Sequence, residues 1–274
     1  MQILAALEEL LLPNACVACD RLCEPSAAGA LVCGRCRLRL KALTGGCLRC
    51  HQPLPLIGGC RFCAAWPAEL RWARSGVWLG PEAREIVHHL KYEGCVPLAP
   101  FMAATVARAL PPPAAGILVP VPLTPARLKH RGFNQAALLA HALGAIWQLP
   151  VRERLLTRRW DSGSQTALTP EQRLANVTGA FSALPPCHRA EEAGGADEAA
   201  AAATRARHGD GSAPPAAPAT PPGGGGEGVV IIVDDVLTTG ATLAAAATAL
   251  SARGWRHLGA VTFARALPYE QRVV

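Results

Sequence analysis

Residues 229–243, VVIIVDDVLTTGATL, govern the reading of the whole chain. The run VVIIV at 229–233 has the β-branched, uninterrupted apolar character of a strand covered on both faces, as in a parallel sheet. Asp234 and Asp235 then emerge at its carboxyl end. Successive strand residues point to opposite faces, so two adjacent carboxylates are awkward to bury and are tolerable where the strand gives way to a ligand pocket. There they can accept hydrogen bonds from a pair of vicinal hydroxyls. Thr238, Thr239, Gly240, Ala241 and Thr242 follow, and LAAAATALSARG reads as a helix. The free amides and dipole at that helix start suit a phosphate without any lysine. An ordinary threonine-capped helix is the alternative. The two acids directly ahead of it favour a phosphorylated sugar.

Working outward, strands and helices alternate from about residue 71. SGVWLG at 75–80, ILVPV at 117–121, VVIIV at 229–233 and GAVTFA at 259–264 read as strands. EAREIVHHLKYEG at 82–94, PFMAATVARAL at 100–110, FNQAALLAHALGAIW at 133–147 and GATLAAAATALSARG at 240–254 read as helices. This order predicts an α/β fold, a mostly parallel sheet with helices on both faces and a ligand at the carboxyl ends of the strands. The Ala-, Pro- and Gly-rich stretch 187–227 has too few large apolar residues to repay the entropy of ordering, which predicts a disordered surface insertion. Its four glycines sit in no phosphate-loop frame.

The front of the chain differs. Ten of the eleven cysteines precede residue 96, and eight form Cys-x-x-Cys pairs: Cys16/Cys19, Cys33/Cys36, Cys47/Cys50 and Cys60/Cys63. Each pair can supply two corners of a tetrahedral site, so the eight predict structural zinc bound by four thiolates per ion. Disulfides conflict with the lack of a secretory signal, and iron–sulfur ligation is the remaining alternative. Sequential pairing closes shorter loops than crossed pairing, but spacing leaves both open. Residues 1–68 thus form a metal-stapled Cys-rich domain and 69–274 the α/β domain. Cys23 and Cys95 stand outside the pattern as small apolar fillers.

The formal charge is +7. Eight thiolates on two divalent ions would remove a net four charges, leaving about +3, so the basic balance is weak evidence for nucleic acid. MQILAALEELLLP carries no basic residue ahead of its apolar run, which argues against a signal peptide. GFNQAALLAHALGAIWQLPV, at 132–151, is interrupted by Asn134, Gln135, His141, Gln148 and Pro150 and makes a poor membrane span. The expected compartment is the cytoplasm.

Two further stretches narrow the function. VPVPLTPARLKHRGFNQAALLA gathers Arg127, Lys129 and Arg131 before a helix opening near Asn134, a counter-charge suited to pyrophosphate. RRWDSGSQTALTPEQRLANVTGAF, with Arg159 and Gln165, reads as a mobile loop leading back into the fold. VVIIVDDVLTTGATL resembles the phosphoribosyl-pyrophosphate motif of type I phosphoribosyltransferases. With LLPNACVAC, HLKYEG around Lys91, RGFNQA and the Q…L…R…N…AF spacing in the same order, nearly the whole chain is similar to the ComF family of competence-associated proteins. That family joins a zinc-binding N-terminus to a phosphoribosyltransferase-like domain. The 187–227 insertion is longer than the family connection, and SGSQ departs from the expected approach to Gln165.

The resemblance implies roles for individual residues. Asp234 and Asp235 would hold the ribose hydroxyls and serve as the catalytic residues by orienting the sugar and favouring its developing positive charge; Thr238, Thr239, Gly240, Ala241 and Thr242 would hold the 5′-phosphate. Lys129, Arg131 and Arg159 would face the pyrophosphate, which departs with magnesium. It also implies a role in DNA uptake and natural transformation, beside DNA-translocation or recombination proteins, with the acceptor undefined. Two other readings stand beside it: a nucleotide-salvage or amidophosphoribosyl-type transferase, and a non-catalytic module for single-stranded DNA. For the last, Arg71, Arg74, Arg127, Lys129, Arg131, Arg152, Arg154, Arg158 and Arg159 offer charge, and Trp66, Trp72 and Trp160 offer stacking surfaces. Against it, the same tryptophans can close the core between the Cys-rich segment and the sheet.

Overall fold

The computed structural model describes residues 15–23, 31–43, 45–53, 59–158, 179–186 and 228–266. Four strands form one sheet: β1 (Leu70–Trp78), β2 (Gly116–Pro120), β5 (Val229–Leu237) and β6 (Leu258–Arg265). Their spatial order is β1-β6-β5-β2 and every pairing is parallel. A second, antiparallel pair joins β3 (Leu156–Arg158) to β4 (Phe181–Ala183). The described helices are α1 (Gly34–Arg39), α2 (Pro81–Tyr92), α3 (Leu98–Ala109), α4 (Pro125–Arg131), α5 (Gln135–Trp147) and α6 (Ala241–Ser251). This is the expected α/β architecture, a phosphoribosyltransferase-like sheet preceded by a Cys-rich module.

The two central strands explain why their sequences are apolar throughout. In β5, Ile231 and Val233 join a core with Ile86 and Leu90 of α2, Met102 and Val106 of α3, and Leu139 and Leu143 of α5. Val230 and Ile232 face the opposite core, built from Leu243, Ala244, Ala247 and Leu250 of α6 with Leu156 and Phe181 of the small sheet. Each face of the sheet therefore has its own helical cover, and every residue of β6 is buried.

Element boundaries moved where tertiary contacts outweigh local pattern. β1 begins at Leu70, ahead of the expected 75–80, because β6 is long enough to pair with it and because the Cys-rich segment caps its outer edge. There Ala73 N donates to Arg49 O at 2.8 Å and Trp78 N to Lys41 O at 2.8 Å. β5 runs on to Leu237, so the two aspartates lie within the strand. Pairing of Val236 with Ala264 and Leu237 with Arg265 supplies the extra hydrogen bonds. The short elements α1, α4, β3 and β4 had no periodic signal of their own. The insertion expected at 187–227 lies outside the described residues, as do Arg159, Trp160 and Gln165.

Cys16 and Cys36 are buried in the α2/α3/α5 core, whereas Cys47, Cys50 and Cys63 are buried in the α6 core. The Cys-rich segment is thus anchored on both sides of edge strand β1. Trp72 strengthens that edge by packing directly against Gly259, where a Cβ would fall 2.3 Å from its ring. The Gly259→Ala variant is expected to lose roughly 1–3 kcal/mol of stability through overpacking. Urea unfolding with an unchanged midpoint would contradict this account of the β1–β6 contact.

Candidate functional site

The cysteine pairs resolve into two four-sulfur clusters, Cys16/Cys19/Cys33/Cys36 and Cys47/Cys50/Cys60/Cys63, each with all ligand atoms within 4.8 Å of one another. Pairing is sequential. The Sγ separations are 3.8 Å for Cys19–Cys33, 3.7 Å for Cys47–Cys63 and 3.6 Å for Cys50–Cys60. A tetrahedron with metal–sulfur bonds of about 2.3 Å has an edge of about 3.8 Å, whereas a disulfide would bring the sulfurs to about 2.05 Å. The donor set and its dimensions fit structural zinc.

Backbone amides prepare the thiolates. The amide of Cys36 leads the effects that draw the Cys33 thiol down to about 7. At Cys47 burial pushes upward, but the amides of Arg49 and Cys50 prevail and bring it to about 7. Burial holds Cys36 and Cys63 well above the ordinary thiol range. A divalent ion would supply the positive charge that four clustered thiolates lack.

At the end of β5 the two aspartates have different surroundings. Asp235, only 3% exposed, points toward α2 and α5. It is ion-paired to Lys91 of α2 and accepts from Gln135 Nε2 of α5 at 3.5 Å. Burial alone would raise its pKa; the Lys91 charge, with hydrogen bonds from Lys91 and Gln135, outweighs burial and lowers it. Lys91 gains in turn, since the attraction of Asp235 overcomes its own desolvation and raises its pKa.

Asp234 is half-buried, its Oδ1 accepts from Asp235 N at 2.8 Å, and its carboxyl group interacts directly with that of Asp235. Burial, then the charge of Asp235, pushes its carboxyl well above the usual range. The pair therefore combines one locked carboxylate with one that holds its proton more tightly.

The loop after the acids turns on Gly240, whose φ of +80° is the left-handed conformation glycine adopts most readily. Thr239 Oγ1 accepts from Ala241 N at 3.4 Å, and α6 begins at once. Thr238 is exposed, Thr239 and Thr242 are half-buried, and Ala241 is buried. Helical geometry leaves the first amides of α6 without intrahelical acceptors.

The cations on α4 divide. Arg127 and Lys129 are exposed, whereas Arg131 is half-buried, donates to Gln135 Oε1 and lies 5.6 Å over the Tyr92 ring. Arg131, Gln135, Asp235 and Lys91 thereby form one continuous polar chain. Arg131 and Asp235 are among the site residues expected from sequence; Lys91 and Gln135 are not. Their sequence signal was membership of the HLKYEG and RGFNQA stretches, which assigns neither side chain a role.

The residues considered for nucleic acid divide between those occupied within the fold and those left exposed. Arg74 donates to Leu48 O and to Arg49 O, Trp66 is buried, and Trp72 covers Gly259. These two tryptophans close the core between the Cys-rich segment and the sheet. Arg71, Arg127, Lys129, Arg152 and Arg154 remain exposed.

Two outcomes follow from this geometry. Elemental analysis of purified protein should find two zinc ions per chain, falling to one in Cys50→Ser; no bound zinc would refute the cluster assignment. Lys91→Met strands a buried carboxylate and should cost roughly 3 kcal/mol in urea unfolding. A neutral effect would show that the pair does not hold the strand end.

No family model matches the chain. It is 32% identical over 122 residues to the competence protein ComFC of Bacillus subtilis, an alignment covering 41% of this chain and 51% of that protein. The chain thus spans about half the length of the curated relative it matches. Among the described residues, no helix is long and apolar enough to cross a membrane. Together with the two four-cysteine clusters, the match supports a relationship to ComFC at the level of the ComF family, not identity with that protein.

Proposed function

We propose that this chain binds phosphoribosyl pyrophosphate with magnesium and acts in DNA uptake during natural transformation, as a phosphoribosyltransferase-like protein. The observation that carries the site reading is the turn from β5 into α6: in it an acid pair, a left-handed glycine and a helix start follow one another without a break. The competence role rests on the similarity to ComFC alone.

In this reading Asp234 accepts hydrogen bonds from the ribose hydroxyls. Asp235 fixes the strand end and adds negative potential beneath the sugar. The amides and hydroxyls of 238–242 take the 5′-phosphate, by the helix-start attraction for anions. Lys129 and Arg131, with Arg159 as a further candidate outside the described residues, face the pyrophosphate. Magnesium would arrive on the ligand's own phosphates, whose charge it neutralises, so no all-protein cage is needed. Any transfer would draw on positioning and on charge stabilisation at the anomeric carbon as pyrophosphate departs, with no covalent enzyme intermediate.

The protonation of Asp234 gives this reading a pH signature. Its folded-state pKa is raised, so its contribution to stability is present below the unfolded value and is lost as pH rises through the folded value. Only the ionised form offers both oxygens as acceptors. Affinity for magnesium phosphoribosyl pyrophosphate should therefore rise with pH across that titration and flatten in Asp234→Asn. That variant should bind at least tenfold more weakly, while its melting temperature at neutral pH increases. Calorimetric titration with equal affinity for both proteins, or no heat for either, would overturn the proposal.

A further inference from the structure

Trp66 reaches from the Cys-rich segment to the anion loop. A Cβ built on Gly240 would meet Trp66 Cζ2 at 2.5 Å and its Cε2 and Nε1 at 2.8 Å, so the indole lies directly against the glycine backbone. Trp66 is 6% exposed, a degree of burial that leaves little room for the ring to swing away.

The second metal cluster determines where that ring sits. Trp66 N donates to Cys63 O at 3.2 Å. Arg49, inside the Cys47/Cys50 knuckle, lies 5.8 Å over the indole and donates to Cys63 O at 2.9 Å, Trp66 O at 3.3 Å and Pro67 O at 2.6 Å. Phe62 meets the indole edge-on at 5.6 Å.

The other end of the loop is tied to the same cluster. Leu237, the residue before Thr238, pairs with Arg265 across the sheet. Arg265 is fully buried, donates to Cys50 O and to Gln52 Oε1 at 2.6 Å, and stacks 4.3 Å over Phe62. The loop between Leu237 and Gly240 is therefore held at both ends by groups whose positions depend on Cys50 and Cys63.

We propose that Trp66 is a positioning residue for the 238–242 loop, and that metal in the Cys47/Cys50/Cys60/Cys63 cluster controls the loop's affinity for a phosphorylated sugar through it. The affinity half of this proposal rests on the ligand assignment above; the positioning half does not. Without the ion, four clustered sulfurs lose their common partner, the knuckles separate, and the indole no longer backs Gly240. Structural zinc then acts as a switch for a site to which it contributes no ligand. The first cluster, packed under the opposite core, serves as the internal control.

Hydrogen–deuterium exchange of zinc-loaded full-length protein, with calorimetry using magnesium phosphoribosyl pyrophosphate as the probe, tests both halves. Trp66→Ala should speed exchange at 238–242 by at least roughly tenfold, leave α5 unaffected and weaken binding by a similar factor. Trp66→Phe should restore most of both, and Cys60→Ser should reproduce the alanine phenotype where Cys19→Ser does not. Unchanged loop exchange in Trp66→Ala, or unchanged affinity despite faster exchange, would overturn the proposal. Faster exchange with no binding by the wild type would instead remove the ligand assignment and leave Trp66 as the loop's support.

Discussion

A central parallel strand can end in two adjacent carboxylates only if the charge of the buried one is met inside the fold. Lys91 meets it. Because α2 brings that ammonium to Asp235, β5 can continue to Leu237 with both aspartates inside the strand. The Gly240 turn and the start of α6 follow from where the strand stops. Replacing such a pair by apolar residues can be neutral for stability, whereas removing one partner is not. Its place here is better explained by what the strand end must present than by what the pair adds to folding.

The same reasoning accounts for the Cys-rich segment. It is too short to hold itself by a core of its own, and its two clusters substitute metal–thiolate bonds for apolar burial. One cluster joins the core beneath α2, α3 and α5, and the other joins the core beneath α6. The edge of β1 is thereby covered by chain that also reaches the loop after β5. Arg49 and Arg265 make this connection rigid, each directing its guanidinium to carbonyls around the second cluster. A front end that sequence alone presents as a separate staple is continuous with the candidate site.

What sequence could show followed from local pattern. VVIIV and GAVTFA announced themselves because a parallel strand covered on both faces is apolar at every position. The eight ligand cysteines did so because the Cys-x-x-Cys spacing is set by the knuckle itself. The partnership of Lys91 with Asp235, and of Trp66 with Gly240, joins residues far apart in the chain and leaves no periodic trace. The cluster pairing was equally hidden, since loop entropy favours short closures only mildly. β1 and β5 ran past their apolar cores because a neighbouring strand offered hydrogen bonds there.

The central claim is that the turn from β5 into α6 is a sugar-phosphate site. A crystal structure of the zinc-loaded protein soaked with magnesium phosphoribosyl pyrophosphate tests it most directly. The 5′-phosphate is expected on the backbone amides of 239–242 and the ribose hydroxyls on Asp234, with Trp66 still seated behind Gly240. A ligand bound elsewhere on the protein, with that turn empty in the same crystal, would contradict it.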